Sequence, residues 1–148
     1  MQLNVRHVDG SFELRAEHNW PLARTEWTLH LDPRSRTLTD EPVAAGASAE
    51  FEALGEGLTS TTAPFVADTE ITGPAAARLF VSSTTTDADL FVMLRVLDPD
   101  DQDVTFVSAL DPAGVVGMGW LRASHRATDP VRGMPYRPWH PHDRAEPL

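Results

Sequence analysis

Residues Asp68 to Asp98, DTEITGPAAARLFVSSTTTDADLFVMLRVLD, decide the fold. Residues 75–82 read as one strand, with Leu79 and Val81 to one side and Arg78 and Phe80 to the other. Residues 89–97 read as the next. There Leu90, Val92, Leu94 and Val96 share one face, and Phe91, Met93, Arg95 and Leu97 the opposite one. Alternation with period two, in runs rich in β-branched and aromatic residues, is the primary strand signal. Apolar residues on both faces imply a strand buried between layers, as in a sandwich.

Working outward, short strands recur with turn signals between them. Residues 2–8 alternate, Asp9-Gly10 has the chemistry of a hairpin turn, and Phe12–Arg15 returns. Residues 27–32 form a third strand, closed by Asp32-Pro33-Arg34-Ser35. Residues 41–57 are rich in Ala, Glu and Gly without a steady period, which predicts a loop with room for one helical turn. Asp98-Pro99-Asp100-Asp101 is a strong turn, after which Val104–Ala109 is expected as the hairpin partner of 89–97. Gly119–Ser124 reads as a further strand. From Thr128 the chain is proline-rich and shows no alternation, so residues 128–148 are expected to form an irregular crossover. Roughly eight strands without a convincing helix predict an all-β sandwich.

Bulk properties narrow the function. With 148 residues the chain is about one domain. Its net charge of −10 excludes an electrostatic grip on nucleic acid, which needs a positive face. No apolar run approaches the roughly 20 residues of a membrane-spanning helix. The twelve basic residues are all arginine, which genome composition explains at least as well as function does. There is no cysteine, so disulfides, thiolate nucleophiles and Cys-ligated metals are excluded. This fits a reducing cytoplasm. The first residues show no basic start or apolar core of a signal peptide.

Several separated motifs, in order, carry a resemblance. They are Asp68-Thr-Glu-Ile-Thr-Gly-Pro, Ala77-Arg-Leu-Phe-Val-Ser-Ser, Thr86-Asp-Ala-Asp-Leu-Phe-Val and Leu121-Arg-Ala-Ser-His-Arg, preceded by Val5-Arg-His and Trp20-Pro-Leu-Ala-Arg-Thr-Glu-Trp. Together they resemble the C-terminal non-catalytic β-domain of CocE/NonD-type serine hydrolases, the group of X-Pro dipeptidyl-peptidases, cocaine-esterase-like enzymes and acyl-ester hydrolases. The resemblance implies a jelly-roll β-sandwich of the galactose-binding-like type, here expected to lack its last strands. It implies one partial domain over residues 1–148, with the catalytic α/β-hydrolase domain absent from this chain. It also implies an accessory role: packing on the catalytic domain and shaping the cleft of an enzyme that cleaves ester or amide acyl bonds. Partners would be that catalytic domain and further copies of the chain. A carbohydrate-binding module and an oligomerisation domain are the alternatives.

Candidate chemistry is sparse. The α/β-hydrolase nucleophile sits in G-x-S-x-G, and the nearest run, Gly46-Ala-Ser48-Ala-Glu50, lacks the second glycine. His140-Pro141-His142-Asp143, with His125 upstream, has spacing that an extended backbone would let share an ion, but it reads better as a proline-rich connector. Asp98, Asp100 and Gln102 imitate the start of an EF-hand loop. Asp103 then stands where glycine is required and Ala109 where glutamate is, so a solvated turn is expected. No catalytic residue, metal site or cofactor is therefore assigned. Trp27 and Trp120 are expected in the core, and Trp20 and Trp139 at a domain boundary. The residues expected to face a cleft or a neighbouring domain are Thr61, Pro64, Phe65 and Asp68, in the loop entering the first signature strand, with His125 and Arg126 at a strand end.

Overall fold

The structure is a computed structural model that describes residues 1–23, 26–44, 46–107, 109–143 and 145–148. The fold is all-β. Among the described residues, six short strands form three antiparallel two-stranded ribbons, with one 3-10 turn at Ala123–His125. The chain divides into two compact units, one of Met1–Leu22 with Thr72–Leu148 and the other of Ala23–Ile71.

In the first unit, β1 (Gln2–Arg6) pairs with β2 (Phe12–Ala16), Val5 opposite Glu13 and Arg6 opposite Phe12. The turn is the expected one. Gly10 takes φ +82, its N–H donates to His7 O at 3.0 Å, and Asp9 Oδ1 accepts from Ser11 N at 2.8 Å. The Arg6 guanidinium lies 4.3 Å from the Phe106 ring centre and 5.1 Å from that of Phe12, tying the hairpin to the later chain by cation–π contact.

In the second unit, β3 (His30–Asp32) pairs with β4 (Thr37–Thr39). Asp32 makes this turn: Oδ1 accepts from Arg34 N and Oδ2 from Ser35 Oγ, both at 2.9 Å. Thr61 extends the ribbon by a parallel bridge to Thr37. The expected strand at 27–32 is thus trimmed to its last three residues, and β4 is a strand that the sequence reading missed. Residues 41–57 contain no helical turn among those described.

The signature segment supplies β5 (Asp89–Leu94), whose partner is β6 (Gly117–Arg122). This corrects the expected pairing with 104–109. Those residues return only as far as Leu97 opposite Asp103, and Phe106 then turns to bridge Gly114. The Asp98 turn itself forms as expected, with Oδ1 accepting from Asp100 N and Gln102 N at 2.9 Å. Residues 75–82 have no ladder partner and are exposed. A strand apolar on both faces needs a layer on each, and two-stranded ribbons provide none there. Past β6, Ser124 belongs to the 3-10 turn and not to a strand.

The core is correspondingly small. Among the described residues only Gly114, Ala123 and Ser124 are buried, the last two each 3% exposed. Trp27 and Trp120, expected inside, are exposed, because each ribbon has only a single layer. Residues 128–148 are irregular, with Asp129 Oδ1 capping Val131 N at 2.8 Å and Trp139 O accepting from Asp129 N at 2.9 Å.

Candidate functional site

The densest polar arrangement lies where β6 runs into the 3-10 turn. Asp87 precedes β5 and accepts from Ser124 Oγ at 2.6 Å, Ser124 N at 2.9 Å and Ala88 N at 2.9 Å. Two residues on, Asp89 stands directly opposite Arg122 and takes both arms of its guanidinium, at 2.7 and 2.9 Å. The Ser124 hydroxyl holds the Asp87 carboxyl below the ordinary carboxylate range, and the Arg122 hydrogen bonds do the same for Asp89. Asp89 in turn raises the Arg122 guanidinium. Both carboxylates are therefore ionised and satisfied by donors. Neither is a base held ready for proton transfer, which needs a group whose pKa lies near the working pH. A depression of about 300 Å³ lies over Asp87, Ala88, Asp89 and Arg122.

Sequence reasoning missed this hub. Two acids flanking Ala88 and an Arg-Ala-Ser run are visible in the chain, but nothing local announces the Asp89–Arg122 register.

The C-terminal segment crosses the 3-10 turn beside the hub. Arg126 Nη1 donates to Ala123 O at 3.1 Å and to Glu146 O, and Glu146 N donates to Ser124 O at 2.7 Å. Arg126 is thus engaged inside its own unit. His125 is half-buried, its ring centre 5.2 Å from that of His142, which stands 6.0 Å from His140. His140 Nδ1 lies 3.1 Å from Ala127 O. Among the described residues, no group of three or more His, Asp or Glu side chains is arranged to hold a metal ion.

The other expected site residues fall in the second unit. Thr61 is held in the ribbon, with Leu38 N donating to its carbonyl at 2.8 Å and its own N–H reaching Arg36 O at 3.1 Å. Phe65 is half-exposed, its ring centre 5.9 Å from that of Trp27. Pro64 and Asp68 are exposed. Pro64, Phe65 and Asp68 lie outside any strand, beyond the Thr61 bridge, while His125 and Arg126 belong to the first unit. Ser48, in the run nearest to a nucleophile elbow, lies outside any strand or helix.

A broader surface lies on β5 and β6. Phe91 stands opposite Trp120 and Met93 opposite Met118, all four exposed on one face. A depression of about 560 Å³ opens there, between Phe91, Met118, Trp120 and the Asp89–Arg122 pair. It is an apolar surface with a polar end and contains no nucleophile.

No helix among the described residues is long and apolar enough to cross a membrane. No curated protein and no solved structure gave a match. The family model described as the X-Pro dipeptidyl-peptidase C-terminal non-catalytic domain matches residues 2–147, nearly the whole chain. Together with an all-β fold whose polar hub is self-satisfied, that match places the chain in the family of X-Pro dipeptidyl-peptidase C-terminal non-catalytic domains.

Proposed function

We propose that this chain is the accessory domain of a CocE/NonD-type serine hydrolase that cleaves ester or amide acyl bonds. The observation that carries the reading is the family match over residues 2–147, in a chain without a G-x-S-x-G nucleophile elbow. The domain packs on the α/β-hydrolase domain of the same enzyme and walls one side of its substrate cleft. The loop Thr61–Asp68 is the cleft-facing element, its exposed Pro64, Phe65 and Asp68 free to meet a substrate or a neighbouring domain. Residues 1–148 form one jelly-roll domain of the galactose-binding-like type, with residues 75–82 and the Phe91 face of β5 left open. Such open apolar surface is what an interaction module presents and a self-contained monomer avoids. The protein works in the cytoplasm.

The test is kinetic. The purified chain should not turn over activated acyl esters, and its deletion from the intact enzyme should lower turnover or change which acyl group is preferred. Hydrolysis by the chain alone, or an enzyme indifferent to the deletion, would overturn the reading. The exposed Trp120 beside Phe91 favours one other reading, a carbohydrate-binding module, because sugar rings stack on such surfaces. Specific binding to a glycan array would support that alternative.

A further inference from the structure

We infer that the Phe91–Met93–Met118–Trp120 face of the β5–β6 ribbon is the surface that docks the catalytic domain of the same enzyme. The inference rests on the accessory role proposed above and assigns it a place. Side chains along a strand alternate between faces, so Asp89, Phe91 and Met93 share one face with Met118, Trp120 and Arg122. The apolar quartet is 73%, 64%, 64% and 72% exposed in the order named. On the other face Leu90 and Leu121 are half-buried, and Val92 and Leu94 are 37% and 41% exposed. The Phe91–Trp120 face is thus the more open of the two.

Charge organises the rim. The Asp89–Arg122 pair closes one end of the face. Just beyond β5, Arg95 pairs bidentately with Asp103, its Nε 2.8 Å from Oδ1. Each pair is internally neutral, so the chain's net charge of −10 lies elsewhere. An apolar centre of aromatic and Met side chains inside an arginine-bearing polar rim has the composition of a protein–protein interface.

Area decides the occupant. An aromatic side chain carries about 150–250 Å², so four large side chains at these exposures present roughly 500 Å² of apolar surface. That lies toward the upper end of the largest patch a monomer leaves open, about 300–600 Å². It falls short of the roughly 800 Å² per partner of a stable two-chain complex. A domain joined through the same chain needs less, because linkage raises its effective concentration, and interfaces between such domains start near 600 Å² in total. A second copy would also have to bring together two chains of net charge −10. Area and charge both favour the linked catalytic domain.

The methionines are the probe. In the intact enzyme, a pulse of peroxide read by mass spectrometry should oxidise Met93 and Met118 about ten-fold more slowly than Met134, which is 45% exposed. The protection should be independent of enzyme concentration. Trp120→Lys in the same enzyme should remove the protection of Met93 and Met118. The wild-type measurement stands without that variant should it fail to fold. Oxidation of Met93 and Met118 as fast as that of Met134 would overturn the assignment, and so would protection that disappears on dilution, the mark of a second copy. If deleting the domain impairs turnover while Met93 and Met118 oxidise freely, the accessory role survives and only the face is wrong.

Discussion

Arg122 and Asp89 face each other across the β5–β6 ladder and join through two parallel hydrogen bonds, Nε to Oδ1 at 2.7 Å and Nη2 to Oδ2 at 2.9 Å. The pair fixes the register of the ribbon. A slip of one residue would set Asp89 against Leu121 or Ala123 and send every side chain of the slipped strand to the other face. Bidentate geometry suits this role, because a planar guanidinium accepts a carboxylate in only a few orientations.

Stability should therefore be lost in acid. Asp87, Asp89 and Asp103 all have carboxyls held below the ordinary carboxylate range, by Ser124, Arg122 and Arg95 respectively. A carboxyl depressed in the folded state contributes stability above its unfolded pKa and loses it as pH falls through the folded value. Urea midpoints should be flat from neutral pH down to about pH 5 and should fall below about pH 4, where unfolded aspartates take up protons. Asp89→Asn should shallow that fall. An identical pH profile for the variant would show that the pair is not linked to folding.

Ser124→Ala removes the shortest bond to Asp87, the 2.6 Å contact from Ser124 Oγ, and leaves the backbone donors Ser124 N and Ala88 N in place. The Asp87 carboxyl should titrate higher, toward its ordinary range, because the hydroxyl that chiefly stabilises its charge is gone. Carboxyl chemical shifts followed against pH would read this directly. The effect should be largest at Asp87; Asp89, bonded to Arg122, should shift less, through its charge coupling to Asp87.

How legible the chain is depends on the range of each interaction. The turns at Asp9-Gly10, Asp32–Ser35 and Asp98–Asp101 were readable because an aspartate bonding amides two to four residues away needs only local sequence. The partner of β5 was not. Its ladder spans the whole Arg95–Val116 excursion, and the nearer candidate at 104–109 carried the same alternation. Burial was misread for Trp120 for a related reason. Alternation identifies a face, but whether a second layer covers that face is settled by residues far away in sequence. The position of Arg126 just past a strand was readable, but its grip on Glu146 O depends on the C-terminal segment folding back.

Two glycines should respond differently to the same methyl group. A Cβ at Gly133 would lie 2.8 Å from Asp129 O, in its own turn, and 3.2 Å from Trp139 N, in the segment against it, both backbone atoms. Gly133→Ala should cost about 1–3 kcal/mol, the usual range for forcing an atom into filled space. At Gly119, in β6, a Cβ meets nothing within 4 Å. Gly119→Ala should be neutral or slightly stabilising, since alanine has less backbone freedom to lose than glycine. Denaturant midpoints of the two variants should separate in that order.

Trp120→Lys distinguishes a core tryptophan from a surface one. A tryptophan filling a core costs about 3–5 kcal/mol when truncated, through lost burial and the cavity left behind. Trp120 is 72% exposed, and its principal neighbour in the ribbon is Phe91 directly opposite. The loss should then be limited to a cross-strand pair, at most about 1 kcal/mol. The urea midpoint of the variant should move little from that of the parent chain. A midpoint loss on the scale of a core truncation would put Trp120 in the interior and the open face elsewhere.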